Sequence, residues 1–162
     1  MSFFKPSFMM REITQITPAM LKGMGVEALL LDVDNTLVSY VEHEPVKGAI
    51  AWVKQMEEAG LKLIIVSNNY ASRVGPFADK FGLPYITFSM KPLPFGYIKA
   101  SKFLKVPHNK CAIIGDQIFT DVIGANLCGM KSILLEPVEM EKGTLIEWRR
   151  AVEKKFRDRY KN

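Results

Sequence analysis

An apolar run, Ala28-Leu29-Leu30-Leu31, stops at two acids, Asp32 and Asp34. A run this short, uncharged and free of glycine and proline reads as a buried strand of a parallel sheet. The carboxyl ends of such strands are where open α/β sheets build their sites. Carboxylates placed side by side there repel each other unless a cation or hydrogen bonds offset the charge. A Mg²⁺ ion is the simplest offset, because hard cations take oxygen ligands. The plainer reading is a strand followed by Asp-Asn turn residues. Taken alone, the stretch leaves both open.

Polar residues recur where later apolar runs end. Ser67 closes Leu61–Val66, Asp116 follows Cys111–Ile114, and Lys91 lies in the loop after Tyr85–Phe88. In a parallel sheet all carboxyl ends share one edge, so these groups can converge in one crevice. Together they make chemical sense. Two or three carboxylates can hold Mg²⁺, while Ser67 and Lys91 can hold a phosphate, one by hydrogen bond and one by charge. A carboxylate can be the nucleophile and form an aspartyl phosphate. A second one, two residues on, can return beside the leaving group where the chain turns, as general acid and then general base. The metal shields the negative nucleophile from the negative phosphate.

The elements that must position these groups alternate. A helix is expected from Pro45 or Val46, with Val46, Ile50, Val53, Met56 and Glu57 at helical spacing and Gly60 as its C-cap. After the second strand come a helix near Ala71–Phe81 and a strand at Tyr85–Phe88. A helix through Ile98 and Phe103 follows, then a strand at Cys111–Ile114 and a short helix through Val122 and Ala125 to Gly129. The last strand is Ser132–Leu135. This order makes the class α/β with a doubly wound parallel sheet of five strands. Thr17-Pro18 resembles an N-cap followed by proline at the first helical position, so Pro18–Lys22 is expected as one short turn. A final helix from about Thr144 carries Leu145, Trp148, Val152, Phe156 and Tyr160 at helical spacing among arginines and lysines. One domain is expected over residues 1–162, with an N-terminal arm at 1–25 and a basic C-terminal helix at 142–162.

At this point the chain resembles a known family. Asp32-Val33-Asp34-Asn35-Thr36 matches the DxDxT first motif of the haloacid dehalogenase (HAD) superfamily. Ser67-Asn68 looks like its second motif, Lys91-Pro92 resembles its third, and Gly115-Asp116-Gln117-Ile118-Phe119-Thr120-Asp121 is similar to its fourth. The resemblance implies a HAD-like Rossmannoid core and a role for each residue. Asp32 is implied as nucleophile and Mg²⁺ ligand. Asp34 is implied as general acid/base, giving its backbone carbonyl to the metal. Ser67, Asn68 and Lys91 are implied at the substrate phosphate, with Lys91 also steadying Asp32. Asp116 is implied as a Mg²⁺ ligand, with Asp121 and Thr36 supporting from behind. HAD dehalogenases lack the second acid, so Asp34 implies phosphoryl transfer. Each residue has a plainer alternative: Ser67 capping a helix, Lys91 as an exposed loop lysine, Asp116 and Asp121 as acids at a helix N-terminus.

Many HAD enzymes carry a cap domain after the first motif or between the second and third. Here Val38–Pro45 and the 21 residues between Asn69 and Lys91 have no room for one, so a capless, open crevice is expected. An open site favours a phosphate on something large that completes the enclosure. The finer resemblance is to the YqeG-type phosphatases of HAD subclass IIIA, carried by Ile16-Thr17-Pro18, Val66-Ser67-Asn68-Asn69, Gly115-Asp116-Gln117 and Arg149-Arg150. That group includes relatives of phosphatidylglycerophosphate phosphatase. It implies a hydrolase of phospholipid metabolism whose phosphomonoester substrate has a lipid leaving group. The same phosphatase chemistry on a nucleotide, phosphoprotein or nucleic-acid end remains an alternative. So does a non-enzymatic adaptor for a nucleic acid or ribosome-associated partner.

The formal charge of +5 is uneven: residues 142–162 hold eight basic and three acidic side chains. A basic tail favours peripheral contact with an anionic membrane or nucleic acid, or it is a solvated face. No apolar stretch approaches the roughly 18 residues of a membrane span, and the first 25 residues lack a signal-peptide core. Cys111 and Cys128 show no ligand spacing and read as reduced core residues. These features point to the cytoplasm, with contact at the inner face of the membrane left open. His43, in the loop after the first motif, reads as a solvated histidine before a substrate contact.

Overall fold

In the computed structural model, the strand that delivers Asp32 lies inside a six-stranded parallel sheet. The structure describes residues 2–39, 41–137 and 144–161, with only the backbone for residues 144–146. The strands are β1 (Phe8–Met10), β2 (Ala28–Leu31), β3 (Lys62–Val66), β4 (Tyr85–Ile86), β5 (Cys111–Gly115) and β6 (Lys131–Leu135). Their order is β1-β6-β5-β2-β3-β4, and every pairing is parallel. From β2 the chain steps outward to β3 and β4; from β5 it steps the other way to β6. The switch point therefore lies between β2 and β5, where such sheets open a crevice. The register sets Leu31 level with Ile114 and Ile65, so Asp32 and Asp116 leave the sheet side by side.

Among the described residues, six α-helices flank the sheet: α1 (Pro18–Gly23), α2 (Ala49–Glu58), α3 (Ala71–Phe81), α4 (Phe95–Leu104), α5 (Ile123–Cys128) and α6 (Thr144–Tyr160). The strands alternate their side chains between two cores. Leu29, Leu31, Leu63, Ile65 and Ile114 pack with residues of α1, α2 and α3 on one face. Leu30, Ile64, Val66 and Ile113 pack with Tyr97, Ala100 and Leu104 of α4 and Ala125 of α5 on the other. The doubly wound α/β expectation holds. Among the described residues no helix is long and apolar enough to cross a membrane.

Several boundaries differ from expectation. The sixth strand, β1, comes from the N-terminal segment; it pairs with β6, and Ser7 and Ser132 exchange backbone-to-hydroxyl bonds beside it. Three residues are too few for a periodic signal. Helix α2 starts at Ala49, three residues after Val46. Val46 N–H instead donates to Leu37 O and Pro45 bridges Val38, so this stretch stays extended against the first-motif turn. Trp52, not Ile50, joins the buried face of α2, and its indole N–H donates to Ile16 O at 2.8 Å. Strand β4 ends at Ile86, and Phe88 takes a positive φ of 47°. Thr17 caps α1 with proline next, as the sequence suggests. Cys111 and Cys128 are free, with Cys111 buried.

The largest correction concerns α6. Trp148 of the expected apolar stripe is 65% exposed, whereas Arg150, Glu153 and Arg157 are buried. The residues 150, 153 and 157 share one helical face, and that face points into the molecule. Leu145 lies outside the described side chains.

Candidate active site

The chain after β2 turns at once. Asp32 N–H donates to Ile114 O of β5 at 3.0 Å, which keeps the residue in register as the strand ends. Asn35 then takes φ 59°, and its N–H meets Val38 O at 2.8 Å. Asparagine tolerates this left-handed conformation better than most side chains. The turn folds Asp34 back to the mouth of the crevice. Thr36 is buried beneath it.

Lys91 is the hub. Its side chain is only 4% exposed, and its Nζ lies 3.0 Å from Asp32 Oδ1 and 2.8 Å from Asp121 Oδ1. It is therefore no surface loop lysine. Burial alone would favour the neutral amine, but the two carboxylates outweigh it and hold the ammonium charged, with its pKa raised. Asn68 fixes the loop that carries it: Asn68 Oδ1 accepts from Lys91 N–H at 2.7 Å and from Ser89 Oγ at 2.9 Å, and Asn68 Nδ2 donates to Lys91 O at 3.1 Å. Ser67 is buried and its Oγ accepts from Asn69 N–H at 3.1 Å. It does not cap the following helix, whose N-cap is Tyr70.

Asp116 and Asp121 are both buried. Asp121 sits on a wide helical turn, Ile118–Val122, and its Oδ2 accepts from Gln117 N–H. Tyr97, fully buried below, donates to Thr120 O at 2.7 Å and props that turn. Asp116 Oδ2 accepts from Arg150 of α6 at 2.7 Å. Its Oδ1 is buried with no hydrogen-bond partner among the described residues. One oxygen each of Asp32, Asp116 and Asp121 lie within 4.8 Å of one another. Burial pushes Asp116 up to about 7 and Asp121 up to about 6, with Arg150 and Lys91 respectively pulling the other way.

These carboxylates fit a divalent cation. Three negative groups face two cations, Lys91 and Arg150, and one of their buried carboxylate oxygens, Asp116 Oδ1, has no hydrogen-bond partner among the described residues. Such an oxygen is costly unless something ligates it. Asp34 stands apart from this cluster: its carboxylate faces the cleft, where Oδ1 meets Arg73 Nη2 at 2.6 Å and Oδ2 accepts from Asn69 Nδ2 at 2.9 Å. The cleft, of about 200 Å³, is lined by Asp32, Asp34, Ser67, Asn68 and Lys91, with Asn69, Gln117 and Thr120.

The structure thus brings Asp32, Asp34, Ser67, Asn68 and Lys91 to one cleft and sets Asp116 and Asp121 behind Asp32. The sequence reading assigned no site role to Asn69 or Arg150, which appear in it only as marks of the finer resemblance, and none to Arg73, Glu153 or Arg157. Arg73, in the first turn of α3, also lies 3.0 Å from the exposed His43 Nδ1. Nothing marked Arg73 in the chain, whereas the Arg150–Glu153–Arg157 spacing was as regular as the apolar stripe that masked it.

Residues 8–129, which hold the four motifs at Asp32, Ser67, Lys91 and Asp116, match the haloacid dehalogenase-like hydrolase family. The chain belongs to that family. The HAD hydrolases it resembles include the probable phosphatase YqeG of Bacillus subtilis (strain 168), 36% identical over 154 residues, covering 95% of this chain and 90% of the relative. Among solved structures, a HAD family hydrolase of Deinococcus radiodurans R1, with bound phosphate and sodium, aligns at TM-score 0.61 and 15% identity over 82% of this chain and 89% of its own. The D,D-heptose 1,7-bisphosphate phosphatase of B. bronchiseptica, complexed with magnesium and phosphate, aligns at TM-score 0.58 and 15% identity, covering 67% and 80%. At these identities the two structures speak for the HAD fold.

Proposed function

We propose that this HAD hydrolase is a Mg²⁺-dependent phosphomonoesterase that works through an aspartyl phosphate on Asp32. One observation carries the reading: of the three clustered carboxylates, only Asp32 lines the cleft. The naming of the B. subtilis relative as a probable phosphatase supports it. Lys91 and Ser67 would hold the phosphoryl oxygens while Asp32 attacks phosphorus and the bond to the leaving oxygen breaks. Asp34 would give that oxygen its proton, then take one from the water that releases phosphate. Asp32, Asp116, Asp121 and the backbone carbonyl of Asp34 are the groups that would hold Mg²⁺. Bound there, the ion would offset the negative charge of nucleophile and phosphate. Asp32→Asn should reduce phosphate release to background. Release that persists in that variant with EDTA present would overturn the mechanism.

The favoured substrate is phosphatidylglycerophosphate, converted to phosphatidylglycerol. Support comes from the open cleft, with only α3 and β4 between the second and third motifs. It comes also from the chain around Lys91, where Phe88, Met90, Leu93 and Phe95 are all exposed. Apolar groups beside a charged pocket suit a lipid phosphate at an interface. Assays against phosphatidylglycerophosphate, nucleotides and phosphopeptides discriminate the alternatives. Fast nucleotide turnover without lipid turnover would sink the lipid reading, and tight partner binding that survives Asp32→Asn would favour an adaptor.

A further inference from the structure

Helix α6 lies beyond residues 8–129, the part that matches the hydrolase family, yet its buried side chains end at the carboxylate cluster. Arg150 Nη2 reaches Asp116 Oδ2 at 2.7 Å, and its Nη1 donates to Asp116 O at 3.2 Å and Glu153 Oε2 at 3.3 Å. Glu153 Oε1 in turn accepts from Phe119 N–H at 3.3 Å, in the turn that carries Asp121. Among the described residues, Arg157 donates to two backbone carbonyls, those of Asp116 and of Leu135.

A guanidinium that merely neutralised Asp116 would be expected to take both carboxylate oxygens in a fork. Arg150 reaches one of them through Nη2, while its Nη1 donates to the backbone and to Glu153. The remaining oxygen, Asp116 Oδ1, is the one buried oxygen of the Asp116 and Asp121 carboxylates that has no hydrogen-bond partner among the described residues. From this we infer that Arg150 is a positioning residue of the cation site: it fixes Asp116 Oδ2 so that Oδ1 is presented to the cation beside Asp32 and Asp121. Helix α6 thereby completes a site whose ligands come from other elements. The inference rests on the reading that the cluster holds a divalent cation. A guanidinium near a cation also repels it, but Glu153 sits against Arg150 and blunts that charge. Groups that orient a metal's ligands are typically worth tenfold to a hundredfold in metal affinity.

The test is calorimetric titration of Mg²⁺ into the full-length protein and into Arg150→Met, Arg150→Lys, Arg157→Met and Asp116→Asn, with thermal melts alongside. Arg150→Met should bind Mg²⁺ about tenfold to a hundredfold more weakly. Arg150→Lys keeps the charge but cannot span three acceptors, so it should fold and lose a smaller part of the affinity. It supplies the reading if Arg150→Met does not fold. Arg157→Met should lower the melting temperature while Mg²⁺ affinity stays near that of the unaltered protein. Unchanged Mg²⁺ affinity in both Arg150 variants overturns the inference. So does an affinity loss in Arg157→Met that follows the melting temperature as it does in Arg150→Met, since α6 would then be only a structural brace. If Asp116→Asn binds Mg²⁺ as tightly as the unaltered protein, the cation reading itself fails, whatever Arg150 does.

Discussion

Gly115 leaves no room for a side chain. A Cβ there would fall well inside van der Waals contact with the carboxylate of Asp121. The fourth motif therefore needs glycine because the strand end and the buried acid share one space. Gly115→Ala should push Asp121 off Lys91, cost about 1–3 kcal/mol by overpacking and lower turnover about a hundredfold, as a displacement near 1 Å can. Melts and steady-state rates on one preparation check this; a rate loss no larger than the stability loss implies would refute it. Asp34 offers a second case. Its carboxylate is held by Arg73 and Asn69, so these two set its direction. Arg73→Met and Asn69→Ala should each lower kcat about tenfold to a hundredfold, within what a positioned acid or base contributes, with substrate KM little changed. Asp32, Asp34, Ser67 and Asp116 were legible in the chain because strand ends mark them, and Lys91 because Lys91-Pro92 resembles the family's third motif. Arg73 was not, because its partner lies 39 residues away and helix periodicity does not report it.

Elements were legible where burial repeats with a period. The strands β2, β3, β5 and β6 and helix α3 match the hydrophobic pattern to within a residue, since both faces of a parallel sheet are covered. The start of α2 was misplaced because the stretch at Pro45 and Val46 is bound to the first-motif turn, a tertiary contact that propensity does not contain. The C-terminal helix was found, and Phe156 of its expected stripe packs against Phe4 and Phe119, but Trp148 faces outward and the most buried described positions are charged. Hydrophobic periodicity assumes an apolar core, and here the helix buries Arg150, Glu153 and Arg157 against Asp116. This changes how the basic tail is tested. Deleting residues 142–162 removes the Asp116 brace and should unfold or inactivate the protein whatever its affinity for lipid. Lys154, Lys155 and Arg159 are exposed on the same helix. Replacing these three with glutamine should leave turnover of a soluble phosphomonoester within about twofold, as surface changes away from a site usually do. Co-flotation with anionic vesicles should fall in the same variant. Unchanged flotation would remove α6 from the lipid reading.

For the molecule as a whole, the site sets a dependence of stability on pH that a divalent cation should reverse. Burial raises Asp116 to about 7 and Asp121 to about 6, against an ordinary value of 3.8. The folded state therefore binds more protons than the unfolded state between about pH 4 and pH 7. Stability from these two groups is fully present below their unfolded value and is lost as pH rises through about 6 and then about 7. Glu136 acts in the opposite sense, because Lys161 lowers its pKa. That pair is exposed, so its contribution is small. In EDTA, the melting temperature should fall from pH 5 to pH 7.5. A cation ligated by these carboxylates competes with the same protons and binds only the folded cluster. Millimolar Mg²⁺ should accordingly raise the melting temperature little at pH 5 and more at pH 7.5, flattening the slope seen in EDTA. In Asp121→Asn the part of that slope near pH 6 should disappear. A melting temperature in EDTA that climbs across this range, or a Mg²⁺ effect equal at both ends, would mean that the buried carboxylates do not govern it. The buried acids that would hold the cation are, on this argument, also what makes the metal-free fold lose stability as pH rises towards neutrality.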